Sequence, residues 1–187
     1  MTLASAVRTR CPSELIAAIR GATDHRADWQ QTAVLVADEL GRHLAAPEEI
    51  LTARERDGSP DGYVCHILHT EPDGAFSVCG LVWRPGQVTP IHDHVTWCVL
   101  GVLQGVEYEE LFALSASGEQ LEEVGTSSNH VGEVAGFAPP GDIHRVRNCG
   151  DDVAISLHVY GADITRLGSS VRRTYDLPVL AGRASQA

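Results

Sequence analysis

The hydrophobic period of this sequence changes once, at Gly62, and that change limits the folds open to it. Ahead of it, from about Asp24 to Leu44, Trp29, Ala33, Val36, Ala37, Leu40 and Leu44 recur at three- and four-residue spacing, as one buried helical face requires. Pro12-Ser13 before ELIAAIR predicts a shorter helix capped by Ser13, Pro47 opens a helical turn over EEIL, and DGSPDG (57–62) reads as a loop. Beyond Gly62 the period is two. YVCHILH, AFSVCGLVW, TWCVLGVLQG, VEYEELFAL, EQLEEVG, GEVAGFA, IHRVRN and VAISLHVYG are short runs rich in β-branched and aromatic residues, most of them separated by Gly, Pro, Asp or Asn. That spacing predicts a mainly β chain: a small antiparallel jelly-roll barrel over 62–187, with an N-terminal helical segment over 1–61 packed on it. At 187 residues the two make one domain with one core. The termini, LAGRASQA above all, are expected to fray.

Charge narrows the partners. Asp and Glu number 25 against 14 basic residues, a net charge of −11, so neither nucleic acid nor an anionic membrane is expected to bind. Every basic residue is arginine, which excludes a Schiff-base lysine and the lysine of a phosphate-binding P-loop. The five cysteines (Cys11, Cys65, Cys79, Cys98, Cys149) are widely spaced and never form CxxC, which argues against a disulfide framework or a zinc ribbon. The first twenty residues lack a signal-peptide core, and no apolar run approaches the ~20 residues of a membrane span. The expectation is a cytoplasmic, reduced protein, a monomer or weak homo-oligomer.

The strongest chemical signal is Gly86-Gln-Val-Thr-Pro-Ile-His92-Asp-His94. Two histidines at i and i+2 on a strand point to one face, so both imidazoles reach one ion, while Asp93 points to the other face and is left to backbone or outer partners. Further on, Pro139-Pro-Gly141-Asp-Ile-His144-Arg-Val-Arg-Asn148 places a turn before a strand that begins with histidine. His92, His94 and His144 are therefore the candidate metal ligands. Three neutral imidazoles suit Fe(II), Zn, Cu or Ni and leave coordination positions open.

These two motifs resemble those of the cupins over about residues 60–165. Gly86, His92, His94 and Gly105 match the first cupin motif, and Pro139, Gly141, His144 and Asn148 the second, with its leading glycine displaced by one residue to Gly132. Where most cupins carry a glutamate ligand this sequence has Cys98, which resembles the thiol dioxygenase branch that includes cysteine dioxygenase. In VAISLHVYG, Ser156, His158 and Tyr160 alternate with Ile155, Leu157 and Val159; taken alone this also fits a half-exposed edge strand. Beside the cupin motifs, Ser-x-His-x-Tyr resembles the Ser-His-Tyr relay of thiol dioxygenases. FSVCGLVWRPGQVTPIHDH and TWCVLGVLQG look most like the bacterial branch that includes 3-mercaptopropionate dioxygenases.

The resemblance implies an Fe(II) enzyme that uses O2 to oxidise a small organic thiol to its sulfinic acid, with Tyr160 near substrate or O2, His158 holding its hydroxyl and Ser156 fixing the histidine tautomer. It implies too that Cys98 lies against Tyr160, as in members where the two become a thioether. The family's carboxylate-binding arginine would fall at Cys65, or at His66 if the alignment slips by one, and neither is charged as arginine is. The 3-mercaptopropionate branch uses an arginine after the relay strand, which makes Arg173, with Arg172 beside it and Arg166 as a fallback, the expected carboxylate anchor. The expected substrate is cysteine, a 3-mercaptopropionate-like thiol or a bulkier one such as ergothioneine.

Other residues read blandly. Glu107, Glu109 and Glu110 fit a solvated strand face; His25, His43, His69 and His130 fit surface or strand positions; Cys79 fits core packing; Cys11 and Cys149 have no evident partner. Two alternatives stay open: a non-catalytic cupin that senses or stores a metal or small ligand, and a sugar-phosphate isomerase or other cupin oxygenase. Against a sugar phosphate, Gly58 to Asn148 offers only Arg84, Arg145 and Arg147.

Overall fold

The computed structural model describes residues 2–4 and 10–180. Two six-stranded sheets face one another. In spatial order the first contains β1 (Thr2–Ala4), β2 (Val64–Thr70), β3 (Ser77–Trp83), β10 (Ala154–Tyr160), β5 (Cys98–Gln104) and β8 (Val134–Phe137). The second contains β11 (Val171–Thr174), β4 (His92–His94), β9 (His144–Arg147), β6 (Val106–Leu114), β7 (Leu121–His130) and β12 (Val179–Leu180). Neighbours are antiparallel except β1 beside β2 and β12 beside β7. This is the jelly-roll architecture of the cupins, preceded by helices, and the eight runs of period two each supply a strand. Among the described residues no helix is long and apolar enough to cross a membrane.

The helices cover the outer face of the first sheet. Leu15, Ile16 and Ile19 of α1 (Ser13–Thr23) and Ala33, Val36 and Leu40 of α2 (Trp29–Arg42) share one core with Val78, Val82, Val99, Ile155, Leu157 and Val159 from the strands. Gly101 on β5 permits this close approach, since a Cβ there would stand 2.7 Å from Leu44 Cδ2. Two helix starts differ from expectation. Ser13 is the first residue of α1, Pro12 precedes it, and no side-chain cap bond forms. The second helix begins at Trp29 because the Asp28 carboxylate caps it, accepting the Gln31 N–H at 2.8 Å. Pro47 does open a turn, α3 (Pro47–Ile50), and α4 (Ala53–Arg56) follows. Of LAGRASQA only Leu180 belongs to the described residues; the fraying expected there falls outside them.

Strand β10 is central, not an edge. It lies between β3 and β5, and all seven of its residues are buried. Its aliphatic residues meet the helices, and its polar alternates Ser156, His158 and Tyr160 face the space between the sheets. The strand ends at Gly161, whose N–H donates to Trp97 O at 3.1 Å and whose carbonyl accepts from Thr96 Oγ1 at 2.9 Å. A Cβ on Gly161 would sit 2.1 Å from Trp97 Nε1 and 2.7 Å from Thr96 Oγ1. The buried indole has little room to retreat, so Gly161→Ala is expected to cost about 1–3 kcal/mol and lower Tm by roughly 5 °C, measured by calorimetry. An unchanged Tm would contradict this account of the corner.

Candidate metal centre

The site grows from β4 and β9. Alternation puts His92 and His94 on the inner face of β4, and the register pairs His92 with His144 at the start of β9. The three rings gather with centroids 4.6–5.0 Å apart. Their ligating nitrogens all lie within 4.8 Å of one another, and each residue is buried, at 6%, 3% and 3% exposure.

Each imidazole is held by its Nδ1. His92 Nδ1 lies 2.9 Å from Pro90 O, His94 Nδ1 3.1 Å from Asp142 Oδ2, and His144 Nδ1 2.9 Å from Glu109 Oε1. A carbonyl or carboxylate oxygen accepts, so Nδ1 carries the proton and Nε2 is left with a lone pair. The Asp142 oxygen also accepts the His94 backbone N–H at 2.9 Å, and Asn129 steadies the other oxygen of Glu109 at 3.0 Å. Burial, with the neighbouring His144 and His94, pushes His92 down to about 3; burial also lowers His94 against the pull of Asp142. Burial alone would raise Glu109 and Asp142, but the hydrogen bonds from His144 and His94 carry both below the usual carboxylate range.

His144 Nε2 is buried with no hydrogen-bond partner. An orphaned acceptor beside two further imidazoles kept neutral fits a divalent cation of intermediate softness, so the donor set suits iron as well as zinc, copper or nickel.

The expected relay residues meet on the opposite wall. Ser156 Oγ lies 3.0 Å from His158 Nε2, and Tyr160 Oη 3.3 Å from His158 Nδ1. Trp83 Nε1 donates to Ser156 Oγ at 3.4 Å, and a Glu107 oxygen lies 3.4 Å from His158 Nε2. With a carboxylate accepting at Nε2, His158 is protonated there and Nδ1 receives the tyrosine O–H. The Tyr160 ring stands 6.3 Å from that of His94. Cys98 is the register partner of Tyr160 across β5 and β10, and its sulfur lies 3.8 Å from His158 Nδ1. Burial pushes both the Cys98 thiol and the Tyr160 phenol well up.

The glutamates and the arginines sit differently from expectation. Glu107 and Glu109 are not solvated: they are 2% and 4% exposed and hold His158 and His144. Glu110 grips Arg145 and Arg147 at 2.7 Å. Arg173 pairs in register with Asp93, which faces away from the ligands, and its Nε donates to Asp93 Oδ2 at 2.8 Å; Tyr175 donates to the same oxygen at 3.0 Å. Arg173 and Arg172 border an outer groove with Asp93, not the cavity at the histidines, and Arg166 lies exposed on α5 (Ile164–Leu167). Of the two β2 candidates, Cys65 lines the histidine cavity, and His66, on the alternate face, lies 3.9 Å from Glu55. Asp142 was missed in the sequence, although it stands inside the Pro139–His144 turn.

Removing either carboxylate leaves an imidazole free to rotate and lose its tautomer. Asp142→Asn and Glu109→Gln are each expected to weaken metal binding by about 10- to 100-fold in a calorimetric Fe(II) or Zn(II) titration, while the purified apoproteins keep a folded circular-dichroism spectrum. Unchanged affinity would mean that the carboxylates do not orient the ligands.

A family model described as "Cysteine dioxygenase type I" matches residues 60–168. Several solved structures also resemble the chain. A Bacillus subtilis oxalate decarboxylase is 22% identical over 48% of this chain and 22% of its own, with a TM-score of 0.40. An uncharacterized conserved protein with a double-stranded beta-helix domain from Klebsiella pneumoniae is 17% identical over 61% and 90%, at 0.47. A recombinant oxalate oxidase in complex with glycolate is 20% identical over 56% and 53%, at 0.44. The chain thus spans about a fifth of the decarboxylase's length. The family model reaches from the loop before β2 through both histidine motifs to the residues just past the relay strand, more than half of the sequence, and the chain belongs to the cysteine dioxygenase type I family.

Proposed function

We propose that this protein is an Fe(II)-dependent thiol dioxygenase that converts a small organic thiol to its sulfinic acid. The observation that carries the reading is the convergence, on one buried cavity, of three Nε2-presenting histidines and the Tyr160 end of a hydrogen-bonded relay. The reaction balances as thiol plus O2 to sulfinic acid: both oxygen atoms end on sulfur, which gives up four electrons to them.

His92, His94 and His144 would hold the iron. When bound, the iron would supply a Lewis acid that favours the substrate thiolate and a redox centre for O2. The chain's own part is orientation and proton placement. Ser156 and Glu107 keep the His158 hydrogen on Nε2, and Nδ1 therefore accepts from Tyr160 Oη. That hydroxyl is held by His158, and Tyr160 lines the same cavity as the three histidines, where it would be available to hydrogen-bond a bound thiol or dioxygen. Phe137, Val146 and Leu81 line the rest of the space with apolar surface and restrict water there.

The test is oxygen uptake by the Fe(II)-loaded protein with a panel of thiols, read with product mass. One O2 should be consumed per thiol, the product should gain two oxygens, chelation should abolish turnover and Fe(II) restore it. Tyr160→Phe should lower kcat by about a hundredfold with the iron still bound. Stoichiometric iron binding with no thiol consumed would overturn the reading in favour of a non-catalytic metal-binding cupin; full activity without metal would overturn the role of the histidines. Because Cys98 faces Tyr160 across the ladder, intact-protein mass after turnover is expected to fall by two hydrogens, and Cys98→Ala to abolish that loss. An unchanged mass would show that the pair stays reduced.

A further inference from the structure

One wall of the histidine cavity is formed by the ends of β2 and β3. Tyr63 and Trp83 stack there, with ring centroids 4.3 Å apart and planes inclined at 22°. Next along the ladder, Cys65 faces its register partner Leu81. Trp83, Cys65 and Leu81 are buried, and Tyr63 is half-buried at their edge. The wall is therefore aromatic and aliphatic, with one small thiol at its centre. Thr89 and Ser170 line the same space, and Thr89 Oγ1 accepts the Val146 N–H at 3.0 Å.

Six of the described arginines around the barrel are held by other groups. Arg173 donates to Asp93, Arg145 and Arg147 to Glu110, Arg20 to Glu71, and Arg84 to the Asp57 carbonyl. Arg10 pairs with Glu55. Among the described residues lining the cavity there is no arginine. A carboxylate carried into this space on the far end of a thiol would be desolvated with no cationic partner among the described lining residues, whereas a hydroxyl finds Thr89 or Ser170 and an ammonium finds aromatic faces.

Resting on the reading of this site as a thiol-oxidising centre, we propose that the cavity selects thiols whose far end bears no negative charge, an aminothiol or hydroxythiol over a thiol carboxylate, and that Cys65 is the residue that sets this preference. Cys65 holds the middle of the wall, so the side chain there decides whether the substrate's far end meets a cation or a neutral surface. The inference reverses the role expected for Arg173, which the Asp93 pairing holds on the outer face.

The probes share an HS–CH2–C body and differ in the far end: cysteamine, 2-mercaptoethanol and 3-mercaptopropionate, with L-cysteine as a fourth. Two readouts are taken on the Fe(II)-loaded protein: kcat/KM for sulfinate formation, and the anaerobic dissociation constant by calorimetry. Cysteamine or 2-mercaptoethanol should show a kcat/KM about tenfold or more above those of both carboxylates, and a dissociation constant about tenfold or more below theirs, the size of one lost charge-assisted contact. Cys65→Arg should move the ratio towards 3-mercaptopropionate by a similar factor; Tyr63→Arg, at the half-buried edge of the wall, serves if the first variant does not fold. Equal or tighter binding of the carboxylates by the unaltered protein would overturn the proposal, as would an arginine variant with unchanged ratios. Selective anaerobic binding with no turnover would leave the substrate class standing and remove the dioxygenase reading; efficient turnover of 3-mercaptopropionate would do the reverse.

Discussion

The burial of β10 on both faces is the constraint on which the rest of the molecule depends. Its aliphatic face is the floor for two helices, and its polar face supplies the hydroxyl, imidazole and phenol of one site wall. A side chain cannot be turned from one face to the other without shifting the strand by a residue, and such a shift would turn three aliphatics towards the site and three polar groups towards the apolar core at once. Core packing and site geometry are thus locked to the same register. The helices, remote from the histidines, stabilise the arrangement of the relay.

Around the histidines the buried acids do different work from ordinary surface acids. Each meets a nitrogen that needs a fixed orientation: Asp142 meets His94, Glu109 meets His144, and one oxygen of Glu107 meets His158. Burial of a carboxylate is costly unless hydrogen bonds replace its water, and at Asp142 and Glu109 those bonds do so while fixing the tautomers. The geometry that makes the acids tolerable is also what aims the lone pairs inward.

Much of this was legible in the sequence, and the reasons differ by residue. His92 and His94 could be read because a spacing of two on a strand decides the shared face, and Ser156, His158 and Tyr160 for the same reason. Glu107 and Glu109 share that alternation, but which face of β6 is inside depends on the sheet packed against it, and three acids within four residues read as solvent-facing. Arg173 was misplaced because its direction is fixed by pairing with Asp93 across a bulge in β11, a register that sequence distance does not carry. The end of β7 was likewise invisible: Thr126, Ser127, Ser128 and Asn129 carry no hydrophobic period, yet they pair along β6.

The grip of Arg173 and Tyr175 on Asp93 has a consequence for the order of assembly. The ligand strand β4 is three residues long and is held between β9 and β11, both of which come much later in the chain. His92 and His94 emerge early in synthesis but cannot be fixed against His144 until those later strands have docked, and closing such long loops is entropically slow. An ion captured at that point would tie the ends of a long loop together, acting as a crosslink on the finished barrel as well as a reagent within it.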